Sequence, residues 1–359
     1  MQLKTVPAND VFGALQLMLE IQEGSTAGFI SQAEVNGVAP VVDGLPKSVD
    51  ENTALIVESS GSTGVPKRIE LSLSALRASA EASAKSLGGH GQWLLALPVN
   101  FIAGSNVLFR SVVADTQPIL MNTQLPFTVE AFVRGASLME GERRYTSLVP
   151  HQLAKLAAAA EQDAFTFSML RKFDAILVGG QSPNLSDVLA LRSKGVNVVT
   201  SYGMSETCGG CVYDGQALDG VEIEITEGRI QIAGPVLANG LGEKFLTNDL
   251  GEIVDGKLEV LGRADRVIIS GGLKLSLDHF EQRALELPGV QDVVAVAIDT
   301  EFGQSVGVLY VGEESVDFGQ LVQSISLAAK PKVVKRLDVI PRLSSGKPDL
   351  VAISELLAS

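Results

Sequence analysis

Six apolar runs, separated by Ala-, Leu- and Ser-rich stretches, decide most of what this chain can become. They are TALIVE (53–58), QWLLALPV (92–99), PILMN (118–122), TSLVP (146–150), DAILVGG (174–180) and NVVTSYG (197–203). Each is short and apolar, and most are bounded by turn residues, the pattern of strands buried on both faces. Between several of them lie segments at helical spacing, such as LSALRASAEASAKSL (73–87) and HQLAKLAAAAEQ (151–162). This alternation predicts an α/β fold with a mostly parallel sheet, whose ligands gather outside the carboxyl ends of the strands. SSGSTG, GGQSP and YGMSE each follow such an end, and three polar loops at three strand ends suit one shared site.

Past about residue 215 the texture changes. VEIEI (221–225), GRIQIAGP (228–235) and GKLEVLG (256–262) are short alternating segments with Gly turns, which predict antiparallel strands. GRADRVIISGGLKLS (262–276) follows, then a helix-like DHFEQRALEL ending at Pro288 and Gly289, then a strand at VVAVAI. A boundary at Asp265 divides a large N-terminal domain (1–264), with mostly parallel sheets and a small β-subdomain, from a small α+β C-terminal domain (265–359) of about ninety residues.

The composition narrows the function. At 359 residues, 46% apolar and 19% charged, the chain can bury a substantial core. No apolar run approaches a membrane span, and residues 1–10 lack a secretory pattern. Two cysteines make no disulfide framework, so a reducing, cytoplasmic setting is expected. A formal charge of −14 disfavours nucleic acid and anionic membranes as partners. An anionic ligand must therefore meet local positive potential.

SSGSTGVPK (59–67) offers it. Small hydroxyl and glycine residues expose backbone N–H groups, and Lys67 adds a cation, the parts of a phosphate cradle. A flexible polar turn is the alternative. The stretch is not a Walker A loop, because Gly61 and Gly64 stand too close and Lys67 does not follow Gly. SGKP (345–348) fails too, with Pro341 where the first Gly belongs.

Five segments in order resemble one family, the acyl-adenylate-forming ligases, which include acyl-CoA synthetases, peptide-synthetase adenylation domains and luciferases. SSGSTGVPK resembles their pyrophosphate loop and SYGMSE (201–206) their Tyr-Gly-x-Thr-Glu motif, with Ser205 where Thr is usual. TNDLG (247–251) is similar to their Thr-Gly-Asp-Leu-Gly stretch. GRADRVIISGGLK (262–274) resembles the hinge motif, and PRLSSGKPD (341–349) the loop carrying a catalytic lysine. The matches run from Ser59 to Asp349.

The resemblance implies ATP, Mg²⁺ and coenzyme A as small-molecule ligands, and a C-terminal domain that moves about a hinge at Asp265. It assigns the β- and γ-phosphates to Ser59, Ser60, Gly61, Ser62, Thr63 and Gly64, with Lys67 nearby. Gly179, Gly180 and Gln181 would border the nucleotide, as would Ser201, Gly203 and Met204. Tyr202 would lie against adenine, Ser205 on the α-phosphate, and Glu206 on Mg²⁺. Asp249 would take the ribose hydroxyls, Arg263 the ribose or phosphate. Lys347 would stabilise charge in adenylate formation. Gly271 and Gly272 would leave room for pantetheine. Lys330, Lys332, Lys335, Arg336, Arg342 and Lys347 face a single acid, Asp338, across eighteen positions. That cluster would draw in coenzyme A, or else be an ordinary solvated face.

Within the family, TSLVPHQL (146–153) and the short chain resemble the o-succinylbenzoate–CoA ligases of menaquinone biosynthesis. Another aryl or fatty acid, a carrier-protein thiol, and a non-catalytic nucleotide-binding scaffold stay open as alternatives. Only about sixty residues precede the phosphate loop, so a compact version and completion as a homodimer are both open. Phe101 stands where relatives often carry His at the acyl pocket. His151 or Asn100 would bind the substrate's second carboxylate, since a buried dianion needs donors; His151 as a plain helix start is the alternative. CGGC (208–211) is expected to pack as small residues, His90 and His279 to be structural or surface groups, and Trp93 to lie in the core.

Overall fold

The computed structural model describes the chain except residues 35–37, 39–41, 60–66, 271, 301–302, 344–345 and 359, and the side chains of Ser59 and Ala358. It contains two compact units, Met1–Ile223 with Ile232–Phe245, and Glu224–Gln231 with Leu246–Ser359.

In the first unit, a seven-stranded sheet has the spatial order Gln216–Ala217, Gly209–Tyr213, Val198–Met204, Ala175–Gly179, Arg144–Leu148, Gln92–Leu95, Ile119–Leu120. From Val198–Met204 onward in that order the pairings are parallel. Val198–Met204 also turns back antiparallel on Gly209–Tyr213. The two segments expected to be helices are Leu73–Ser86 and Pro150–Gln162. The first starts where the Ser72 side chain accepts from the Ala75 N–H. The apolar strands face helices: Leu94, Leu148, Ile176, Val178 and Val198 pack with Phe132, Leu153, Leu156, Leu170 and Val188.

TALIVE forms a strand, Leu55–Ser59, but not in that sheet. It lies in a separate four-stranded sheet, parallel to Ala27–Ser31 and antiparallel to Lys67–Leu71. The run's texture did not assign it to this sheet, because an apolar run specifies burial and not its pairing partner. Ser59 pairs with Lys67, so the backbone on either side of the SSGSTG segment is fixed to itself.

In the second unit, Asp249 pairs with Arg263 across an antiparallel hairpin. A second hairpin, Val267–Ser270 with Leu273–Ser276, leads into the helix Leu277–Ala284. A three-stranded sheet follows, with Gly303–Gly312 between Val290–Thr300 and Val333–Arg336. Alternate residues of its first strand serve two cores, Val293 and Ala295 with Phe280 and Phe318, and Val294 and Val296 with Ile340 and Ile353. That is the two-residue period of a sheet covered on both faces.

Candidate active site

The Tyr-Gly-x-x-Glu segment is built as the end of one strand and a tight turn. Ser201 to Met204 complete the strand Val198–Met204, and Ser205–Thr207 form a single 3₁₀ turn before the chain reverses into Gly209–Tyr213. Gly203 allows the reversal: a Cβ there would lie 2.0 Å from the Gly209 carbonyl oxygen. Thr207, fully buried, ties both sides; its Oγ1 accepts from the Met204 N–H at 2.9 Å and donates to the Gly209 carbonyl at 2.8 Å. Glu206 is held at its backbone by the Ala238 N–H at 2.8 Å. Its carboxylate, 14% exposed, faces Lys67 Nζ at 3.5 Å. The structure thus brings the end of SSGSTGVPK beside the end of SYGMSE, although their strands belong to different sheets.

Gly179 ends the strand Ala175–Gly179, and a Cβ there would meet the Ser201 carbonyl at 2.8 Å, so the bare backbone serves the approach of the neighbouring strand. Gly180 has φ of +83°, a left-handed turn that favours glycine. Gln181 is exposed. Asn100 and Phe101 are half-buried just before the helix Ile102–Val113, and His151 is exposed at the second position of Pro150–Gln162. Ser60, Gly61, Ser62, Thr63, Gly64 and Gly271 lie outside the described residues, as does the side chain of Ser59.

In the second unit, Asp249 and Arg263 are cross-strand partners, with carboxylate and guanidinium 3.6 Å apart. Arg263 also binds Asp265 through Nε at 2.8 Å and Nη2 at 2.6 Å. Those hydrogen bonds hold the Asp265 carboxyl below the usual range and push the Arg263 guanidinium up. Gly272 sits in the turn of the second hairpin at φ +81°, with open space where a Cβ would be.

Lys347 is exposed on a tight turn. Leu343 N–H donates to the Lys347 carbonyl at 2.8 Å, and Gly346 N–H to the Leu343 carbonyl at 2.9 Å. Arg342 fixes this turn from below. Its Nη1 donates to the Gly346 carbonyl at 2.9 Å, and its Nη2 reaches both oxygens of Asp292 at 2.8 and 2.6 Å. The basic cluster is therefore partly committed to the fold: Lys335 Nζ donates to the Leu356 carbonyl and Arg336 Nε to the Gly312 carbonyl.

Other residues hold the Ser205–Thr207 turn without having been singled out in the sequence. Asn106 and Ser79 donate to the Cys208 carbonyl from two helices. Polar residues inside apolar helical runs, such as Asn106 in IAGSNVLF, were the signal available. Cys208 and Cys211 are buried free thiols whose burial raises their pKa, that of Cys211 to about 12, which makes them inert packing residues. Trp93 is buried as expected, with the Arg110 guanidinium 5.0 Å from its ring. His90 pairs with Glu81. No group of three or more His, Cys, Asp or Glu side chains able to hold a metal gathers among the described residues. No helix among them is long and apolar enough to cross a membrane.

The AMP-binding enzyme family matches residues 10–241. A probable 2-succinylbenzoate–CoA ligase of Mycobacterium tuberculosis is 37% identical over 86% of this chain and 85% of its own length. The 2-succinylbenzoate–CoA ligase of Escherichia coli K12 is 28% identical over 80% of this chain and 65% of its own length. Among solved structures, the o-succinylbenzoate coenzyme A synthetase of Bacillus subtilis in complex with AMP superposes with a TM-score of 0.71 at 24% identity, covering 93% of this chain and 79% of the other. The α/β architecture is thus shared with that synthetase. The chain belongs to the AMP-binding enzyme family.

Proposed function

We propose that this chain ligates o-succinylbenzoate to coenzyme A through an acyl-adenylate, consuming ATP and releasing AMP and pyrophosphate. The observation that carries this reading is the 37% identity to a probable 2-succinylbenzoate–CoA ligase across nearly the full length of both chains. The same reading makes the protein a cytoplasmic enzyme with small-molecule partners, placed in menaquinone biosynthesis.

In the first step a carboxylate oxygen of the acid bonds to the α-phosphorus of ATP while the bond to the bridging oxygen breaks, and pyrophosphate leaves with the electron pair. Two anions approach one another, so fixed positive charge is the main catalytic resource. Lys347 supplies an ammonium group, and the Arg342-anchored turn keeps it from being an untethered surface lysine. Ser205 offers a hydroxyl donor to the α-phosphate, and the SSGSTG segment with Lys67 receives the β- and γ-phosphates. Tyr202 stacks on adenine, and the Asp249 carboxylate accepts from the ribose hydroxyls with Arg263 beside it.

Glu206 is the residue to hold Mg²⁺. It is a recessed carboxylate whose ion pair with Lys67, at 3.5 Å, is loose enough for a competing hard cation. With no carboxylate cluster among the described residues, a magnesium ion would take its remaining ligands from phosphate and water, its habit in nucleotide sites. When bound it would neutralise phosphate charge. In the second step the thiol sulfur of coenzyme A bonds to the acyl carbon, the acyl–oxygen bond breaks, AMP leaves, and the thiol proton passes to solvent. The family hinge at Asp265 would exchange Lys347 for Gly271 and Gly272 between the steps.

Pyrophosphate release, measured with ATP, Mg²⁺ and a panel of aryl, fatty and dicarboxylic acids, tests the reading. Release with o-succinylbenzoate alone supports it. Release only with another acid reassigns the substrate, and release with none points to a nucleotide-binding scaffold.

A further inference from the structure

The turn that carries Ser205 and Glu206 ends at Cys208, a non-glycine residue in the left-handed region at φ +50° and ψ +37°. That conformation costs energy for a residue with a Cβ, and the surroundings must hold it. It also turns the Cys208 carbonyl into the protein interior, where a bare acceptor is unfavourable. Two side chains meet it there. Asn106 Nδ2, from the helix Ile102–Val113, donates at 2.7 Å. Ser79 Oγ, from the helix Leu73–Ser86, donates at 3.1 Å. Both donors are buried, Asn106 at 4% exposure and Ser79 at 1%. The fit is close: a Cβ on Gly209 would lie 2.4 Å from Asn106 Nδ2.

We propose that Asn106 and Ser79 are positioning residues, a two-helix clamp on the Cys208 carbonyl that holds the Ser205–Thr207 turn in the shape that receives magnesium. The inference rests on the assignment of Glu206 to that ion. Thr207 locks the turn from within, and the Ala238 N–H restrains the Glu206 carbonyl. The clamp ties the left-handed residue itself to the helices Leu73–Ser86 and Ile102–Val113. Losing a donor to a buried carbonyl lets the turn populate other shapes. Apparent magnesium affinity then falls by the fraction of molecules that keep the competent one.

The test uses the full chain and reads the magnesium concentration for half-maximal effect in two ways, by the rise in Tm with ATP present and by pyrophosphate release with o-succinylbenzoate and ATP. Asn106→Leu, similar in size but without a donor, raises that concentration by on the order of tenfold and leaves the KM for the acid unchanged. Ser79→Ala, which removes the longer bond, raises it less. Ser83→Ala is the control. Ser83 is one turn further along the same helix, equally buried, and bonded to the Tyr213 hydroxyl rather than to Cys208, so its variant keeps the wild-type magnesium dependence. Asn106→Asp is the second probe: magnesium affinity is weak when its carboxylate is ionised and recovers on acidification, when the acid proton donates to the carbonyl. If Asn106→Leu does not fold, Ser79→Ala and Asn106→Asp decide. An active wild type whose clamp variants keep the wild-type magnesium curve, or share any shift with Ser83→Ala, overturns the clamp and leaves the ligase reading standing. A wild type that releases no pyrophosphate with any acid overturns the ligase reading instead, and the inference with it.

Discussion

Replacing Arg342 by Ala should slow adenylate formation and spare thioester formation. The guanidinium makes two bonds to the Asp292 carboxylate and one to the carbonyl of Gly346, the residue before Lys347. A hydrogen bond involving a charged group contributes about 1.5–3 kcal/mol when well shielded. Here both side chains are partly exposed, at 18% and 25%, so solvent screening reduces the ion-pair share. A net loss of about 1.4–2 kcal/mol in holding the turn follows, a factor of about ten to thirty in the population with Lys347 in place. Arg342→Lys should recover only part of it, because one ammonium nitrogen cannot replace both the Nη1 bond to Gly346 and the Nη2 bonds to Asp292. The assay is single-turnover pyrophosphate release for the first step, and thioester formation from supplied acyl-adenylate and coenzyme A for the second. Lys347→Ala should suppress the first step further, by about two to three orders of magnitude. Equal losses in both steps for Arg342→Ala would refute the reasoning, as would no loss in a variant whose Lys347→Ala counterpart is inactive.

Gly203→Ala places a Cβ 2.0 Å from the Gly209 carbonyl, so the hairpin must shift; adenylate formation should be lost, and a crystal structure should show the strands displaced. Phe132→Ala removes a fully buried ring that stacks on Phe173 with centroids 5.7 Å apart, and should cost about 3–5 kcal/mol in urea unfolding. Asp265 has a pKa lowered by Arg263, so its contribution to stability is complete above the ordinary aspartate range and is lost as pH falls through its folded-state value. Because the pair is exposed this amounts to about 0.5 kcal/mol or less, and Asp265→Asn should remove that acid-side slope from the unfolding midpoint. His151→Ala should raise the KM for o-succinylbenzoate if the imidazole binds the second carboxylate; an unchanged KM assigns His151 to the helix start alone.

The strands and helices of the first unit were legible because burial imposes a period, and DAILVGG and HQLAKLAAAAEQ carry it plainly. The pairing of those strands was not. TALIVE has the same texture as its neighbours, yet pairs in another sheet, since which strand lies beside it is settled by chain geometry far from the segment. CGGC is expected only to pack as small residues, and Gly209–Tyr213, which takes in its last three, is the antiparallel strand that closes the Ser205–Thr207 turn. The left-handed backbone at Cys208 has no sequence signal, because glycine or asparagine is the usual occupant. Motif matching pointed to Lys347 and Glu206, gave Arg342 only a place in the basic cluster, and passed over Asn106 and Ser79, which act through hydrogen bonds to a backbone carbonyl. Such bonds depend on where a carbonyl points, which composition and spacing do not record.

Transfer of isotope from the acid to AMP tests the proposed chemistry most directly. With both carboxylates of o-succinylbenzoate labelled with oxygen-18 and coenzyme A present, the attacking oxygen stays on phosphorus when the thiol displaces AMP. Each turnover should then yield AMP carrying one labelled oxygen, seen by mass spectrometry. Unlabelled AMP, or label found in inorganic phosphate beside ADP, would contradict an acyl-adenylate intermediate.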